Sequence, residues 1–461
     1  MKAHRAASAW ILAGAMLTIP ILSGAPGGRH IQAVRSSLCH REPLPPPSGD
    51  TVTVSSVSQL LDAISQANAD GGNLTILLQD GTYQLTGGNF LHLTASGVTI
   101  RGLSGNRDGV VIRGEGMAGG VPHVCLVAGS DFTLADVTIG WVAYHGVQVQ
   151  GEQDADRPRI HNVRIVDTGE QMIKVSFASG NPTASDDGVV EWCLFEYSAG
   201  IGPQYYIGGV DAHQAHGWVV RHCEFRHIRS PEADLAEHAV HFWSFSSGTE
   251  VHHNLIFDCD RGIGFGLGSS GHSGGRIYNN AVHTTRDVGI GLESAPGAEV
   301  SHNTVFTLDY SNSIEYRFGA TTGVQIGNNL TSQAIAARDG ASGTVSGNFT
   351  AAQSDWFLDA AAGDLHLVAP RAEVVDQAPA IPGLMEDMDC ESRPQGAAPD
   401  IGADEWSEDF LAGDLDNDGR LAATDLAILA QHLAGHLPAG TPPFDAPAPA
   451  ADVDGDGATD A

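Results

Sequence analysis

Lysine is nearly missing from this chain. Only Lys2 and Lys174 occur among its 461 residues, and arginine supplies the rest of the 23 basic groups. Such a bias follows genome composition and says nothing of function. Charge of either sign is sparse, at 17% of residues, and the balance is acidic, with a formal charge of −32. A chain this acidic repels a phosphate backbone, which excludes nucleic acid as a partner. A polyanionic substrate is still allowed, because local Arg or bound calcium can offset the global field. Long apolar runs are also missing, with one exception. Ala9 to Leu22 follows the basic head Met1-Lys-Ala-His-Arg5 and precedes Ser23-Gly-Ala25. That pattern predicts a secretory signal peptide over 1–25, and hence a secreted or cell-surface protein. Pro20 and the short run argue against a membrane anchor, and no other segment could span a bilayer. A cut after Ala25 leaves Lys174 as the sole lysine of the mature chain. Cysteine is scarce too. The six (39, 125, 193, 223, 259 and 390) show no zinc-site spacing and permit disulfides without requiring them.

What is present is a repeat. A hydrophobic residue, two free positions and an Asn recur in Val251-His-His-Asn254, Ile277-Tyr-Asn-Asn280, Val300-Ser-His-Asn303, Ile326-Gly-Asn-Asn329 and Val345-Ser-Gly-Asn348. Arg159-Ile-His-Asn162 fits more loosely, and Cys193 and Cys223 fill the slot in between. Those two cysteines could bridge or stay as buried thiols. Successive slots lie 31, 30, 31, 26, 23, 26 and 19 residues apart. A period of this size marks a solenoid whose coils bury their apolar faces only by stacking. Coils rich in Val, Ile and Thr, broken by Gly and Asn, are strands and turns, so a right-handed parallel β-helix follows. Asn at a recurring turn slot suits an internal ladder, its amide bonding the coils above and below.

A second strand follows each slot: His145–Gln150, Gln171–Ser176, Gly208–His213, His238–Trp243, Arg261–Gly266, Val288–Glu293, Asn312–Arg317 and Gln333–Arg338. Side chains alternate along a strand. The Val/Ile column (147, 173, 210, 240, 263, 290, 314, 335) must point inward, as must Val149, Val175, Ala212, Phe242, Phe265, Leu292, Tyr316 and Ala337. Two columns then face outward: Gln148, Lys174, Asp211, His241, Gly264, Gly291, Glu315, Ala336; and Gln150, Ser176, His213, Trp243, Gly266, Glu293, Arg317, Arg338. With the small column Gly146, Met172, Gly209, Ala239, Gly262, Gly289, Ser313 and Ala334, they predict a charged strip over a glycine floor, a groove for an extended chain.

Outside the coils, residues 26–50 are Pro- and Gly-rich and read as a leader or linker. The next segment places a strand before an amphipathic helix with Leu60, Leu61, Ile64 and Ala67 on one face. This order resembles the N-terminal cap of pectate-lyase-like β-helices. The segment from Leu365 to Glu405 resembles the closing segment of secreted β-helix proteins and is expected to cap the far end. The coils resemble bacterial β-helix proteins of the polysaccharide lyase and epimerase kind, over residues 51–405. The resemblance implies the fold more than the activity, since lyases, hydrolases, epimerases and adhesins share it.

Residues 411–461 form a separate unit. Asp414, Asp416, Asp418 and Asp425 stand at positions 1, 3, 5 and 12 of a loop, with Gly419 at position 6 and the Arg420 carbonyl at position 7. Six to eight hard oxygens at this spacing wrap one calcium. A second, incomplete loop holds Asp452, Asp454, Asp456 and Asp460. The unit resembles a dockerin domain, small and α-helical, which implies a cohesin-type scaffold partner.

Elimination across a uronic acid needs a neutralised carboxylate, a base for the C5 proton and an acid for the leaving oxygen. The strip and its flanks offer Arg261, Arg286, Arg317 and Arg338 for the carboxylate. Lys174, His213 and His241 are candidates for proton transfer, and Asp211, Glu293 and Glu315 for calcium or orientation. A carboxylate beside Lys174 makes it a worse base, so the histidines are preferred. An outward Trp243 would be a sugar-stacking platform. A hydrolase is the enzymatic alternative, with Glu293 and Glu315 on adjacent coils as its best carboxylate pair. A binding module or adhesin is the non-enzymatic one.

Overall fold

The computed structural model describes residue 39 and residues 41–406. The expected signal peptide, much of the expected leader and every residue of the expected calcium loops, Asp414 to Asp460, lie outside the described residues. Strand Asp50–Val54 pairs in parallel with Leu74–Leu78, and helix Val57–Asp70 runs between them. Ser56 caps the helix by accepting the Gln59 N–H, and Gly71 ends it at φ 87°, a left-handed conformation that glycine adopts freely. Leu60, Ala63, Ile64 and Ala67 are its buried face, with Leu61 partly buried. Among the described residues no helix is long and apolar enough to cross a membrane.

The coils stack as parallel sheets, the largest of twenty strands, a second of ten and a third of four two-residue strands. The ten-stranded sheet carries the inward columns, and Val147, Ile173, Val210, Val240, Ile263, Ile290 and Ile314 are all fully buried. Phe242, Phe265 and Leu292 lie beside them, equally buried. Each such side chain contributes about 1.5–3 kcal/mol by leaving water.

The Asn ladder forms at the turns. Nδ2 of Asn254, Asn280, Asn303 and Asn329 donates to Oδ1 of the next slot at 2.9–3.0 Å, ending on Asn348. The left-handed residue is the one before the slot: Trp192, His222, His253, Asn279, His302 and Asn328 have φ between 50° and 59°. Asn162, at φ 52°, belongs to that column, because His161 pairs with Glu191 and Arg164 with Leu194. The slot on this coil is Val163, which is why the motif fitted loosely there. Cys193 and Cys223 are buried free thiols, and the disulfide joins Cys39 to Cys390.

The closing segment does more than cap an end. It packs along the coils with its own core of Phe357, Leu365, Val374 and Ile401 against Ala281, Phe306 and Leu330. Buried Arg393 ties it down, reaching His302 Nδ1 at 2.7 Å, Glu405 Oε1 at 2.8 Å and the Ala403 carbonyl at 2.9 Å. The small column also differs from expectation. Gly209 packs against Phe225, Gly262 against Val282 and Gly289 against Val305, and all three are buried. These residues sit at the bend into the strand, so they face the interior and form no floor of a groove.

Candidate functional site

The register of the ten-stranded sheet builds the site. Lys174 pairs with Asp211, Asp211 with His241, and His213 with Trp243. Parallel neighbours lie about 4.8 Å apart, so these side chains must meet. Lys174 Nζ donates to Asp211 Oδ2 and lies 2.8 Å from His213 Nε2. Asp211 Oδ1 accepts the Trp243 indole N–H at 2.7 Å. His213 Nδ1 is 2.9 Å from Ser244 Oγ, and its ring lies between Phe177 and Trp243. Trp243 stacks in parallel on His241 at 5.4 Å, so one face of the indole is taken, and the ring is partly exposed.

The strip faces away from the core but is not open to water. Asp211 is 2% exposed, His213 6%, His241 0% and Lys174 9%. Burial disfavours the Asp211 carboxylate, yet the Lys174 charge and the His213 hydrogen bond outweigh it and hold this carboxyl below the usual range. Burial pushes the His213 imidazole below its ordinary value, opposed by Asp211. Asp211 is therefore ionised and His213 neutral at neutral pH.

The next coils enclose a cavity of about 130 Å³, whose lining includes His238, Arg261, Glu293, Tyr310, Glu315 and Arg317. Its charges are matched. Arg317 meets Glu293 at 3.3 Å and Asp339 at 2.9 Å, and Arg261 meets Asp287 at 3.1 Å. Glu315 is held by Arg338 at 3.0 Å, by Tyr310 Oη at 2.6 Å and by Asn312. Burial opposes its charge, but these three donors prevail and keep the carboxyl below the usual range. Gly264 and Gly291 have a reason other than a ligand. A Cβ on Gly264 would stand 2.8 Å from the His238 ring, and one on Gly291 would press on Val288 Cγ1 at 3.3 Å.

Of the residues singled out by sequence, the structure brings together Lys174, Asp211, His213, His241 and Trp243, and places Arg261, Glu293, Glu315 and Arg317 around the adjoining cavity. Arg338 reaches it through Glu315. Arg286 stands apart. Its guanidinium binds Asp260 at 3.1 Å and the carbonyls of Ser230, Glu232 and Ala233, pinning the irregular segment 230–237. Asp211 and Glu293 are separated by intervening strands, and Glu293 and Glu315 are each engaged by arginine. Sequence reasoning passed over Glu237, His238, Phe177, Ser244 and Tyr310. Only Glu237-His238-Ala-Val-His241 carried a signal, a close Glu-His-x-x-His spacing.

Known proteins resemble the chain in two regions. Residues 412–461 match the family model for the dockerin type I domain. No curated protein matches the chain in sequence. Among solved structures, pectate lyase Pel9A aligns with a TM-score of 0.54 at 14% identity, over 78% of this chain and 97% of that one. An alginate lyase from Paenibacillus sp. str. FPU-7 aligns with a TM-score of 0.38 at 14% identity, over 65% of this chain and 98% of that one. The fold is thus a pectate-lyase-like parallel β-helix, with a dockerin type I domain at the C-terminus.

Proposed function

We propose that this chain, a pectate-lyase-like β-helix followed by a dockerin domain, is a secreted polysaccharide lyase acting on a uronic-acid polymer. The observation that carries the reading is the Lys174–Asp211–His213 cluster beside an arginine-lined cavity. Asp211 fixes the Lys174 ammonium, and neutral His213 accepts its hydrogen bond through Nε2. A proton taken from C5 of the sugar ends on this Lys174–His213 pair. The C4–O bond breaks, a C4=C5 double bond forms, and the leaving oxygen takes a proton from water, whose hydroxide then removes the proton held on the pair. Arg261 and Arg317 supply the positive charge that stabilises the carboxylate as it gains electron density. Exposed Tyr144, Tyr205 and Tyr206 offer aromatic faces for further sugar rings. The dockerin resemblance adds calcium, held by Asp414, Asp416, Asp418, Asp425 and the Arg420 carbonyl, and a cohesin-type partner. The donor set suits calcium, being all oxygen.

The test is ultraviolet absorbance during incubation with a panel of acidic polysaccharides. Elimination yields an unsaturated, absorbing product, and Lys174→Ala and His213→Ala abolish the rise. New reducing ends without absorbance would mean hydrolysis, and neither signal with retained polymer would mean a binding protein. Either result overturns the lyase reading.

A further inference from the structure

Beside the lysine cluster, one ligand atom each of Glu237, His238 and His241 lies within 4.8 Å of the other two. Three buried atoms here have no hydrogen-bond partner: Glu237 Oε2, His238 Nδ1 and His241 Nδ1. Orphaned polar atoms inside a protein are costly, and several in one place call for a ligand. The His241 tautomer is set, because Nε2–H donates to the Gly266 carbonyl at 3.2 Å. Its other ring nitrogen, Nδ1, lies 3.6 Å from Glu237 Oε2 and 3.6 Å from Asp211 Oδ1. A ring fixed through its far nitrogen is how proteins hold a metal-binding imidazole. Arg261 does not satisfy Glu237. It is 3.9 Å away and bonded to Asp287.

We propose that Glu237, His238 and His241 bind a divalent first-row transition ion, with Asp211 Oδ1, 3.6 Å from His241 Nδ1, beside it. Metal–ligand bonds of about 2.0–2.2 Å place neighbouring tetrahedral ligands about 3.3 Å apart. The Glu237–His241 separation of 3.6 Å is close to that, and the other pairs of the trio lie within 4.8 Å. Two imidazoles with carboxylates favour zinc, iron or nickel over calcium and magnesium, which take oxygen. Glu237, at 22% side-chain exposure, is the way in. His238 also lines the adjoining cavity, so the ion would stand at its edge. The inference rests on these atoms and not on the lyase reading.

The full chain is stripped with chelator, and zinc uptake is measured with calcium in excess to fill oxygen-only sites. One zinc per chain is expected, with cobalt giving visible ligand-field bands in its place. Glu237→Gln and His238→Ala should each weaken zinc binding about tenfold or more. His366→Ala, in the closing segment, should leave it unchanged. Circular dichroism checks that the variants fold, and Glu237→Gln, the more exposed position, decides if His238→Ala does not. No uptake of zinc or cobalt, or uptake unchanged in Glu237→Gln, would overturn the site. Neither result bears on elimination, which is read separately by absorbance.

Discussion

At the scale of single residues, the Lys174–Asp211 pair dominates. Both groups are buried, and each is tolerable only because the other is present. Removing one partner of a buried pair costs about 3–5 kcal/mol, whereas an apolar replacement of both is often near neutral. Asp211→Asn is therefore expected to lower the urea midpoint strongly, and Lys174→Met with Asp211→Leu to restore most of it. The same pair has a catalytic test. Lys174→Ala should lower turnover about a hundredfold or more, the usual range for a lost proton-transfer group. A double variant that is stable but inactive would separate the two roles.

At the scale of the element, the Asn ladder holds successive turns in register. Asn303 Nδ2 donates to Ile277 O, Ser301 O and Asn329 Oδ1, and its Oδ1 accepts from Asn280 N and Nδ2. Asn303→Ala strands several buried groups, each costing about 1–3 kcal/mol. Thermal melts should show a larger loss for Asn303→Ala than for Asn348→Ala, since Asn348 ends the ladder and is half-buried. Glycine tells a similar story. Gly264→Val would drive a side chain into the His238 ring and should weaken zinc uptake as much as His238→Ala does.

At the scale of the whole molecule, buried histidines set the response to pH. Burial, the leading cause in each, pushes His145, His222, His272 and His302 down to about 3, and His123 and His253 to about 4. Their folded values lie below the unfolded one, so below about pH 6.5 the unfolded chain binds more protons. The stability they contribute is full above pH 6.5 and is lost as pH falls toward 4 and 3. Partly or fully buried carboxyls act in the opposite direction, Asp400 raised to about 7 and Glu170, Asp186, Glu224, Asp387 and Glu405 raised too. The lowered histidines, with His213, His252 and His283 added, outnumber them. The melting temperature is expected to fall steadily from pH 7 to pH 4, and a flat profile would contradict this reading.

The sequence alone determined the repeat and, for all but the last coil, where Ile335 is half-buried and Ala337 exposed, the inward columns of the second strand, because coil stacking repeats one chemical pattern and each slip would expose an apolar side chain. Lys174, Asp211, His241, His213 and Trp243 could be placed on neighbouring strands from that pattern. The dockerin domain was legible for a different reason, since its repeat of acidic residues is local in the chain. What only the tertiary structure decided is what covers the strip. Alternation says which way a side chain points, not whether an insertion lies over it. It could not show His241 at 0% exposure, nor the His238 ring resting on Gly264. The glycines that suggested a floor for a ligand instead make room for neighbouring side chains. The Cys39–Cys390 bridge was equally hidden, because it joins residues 351 apart that meet only once the closing segment has packed.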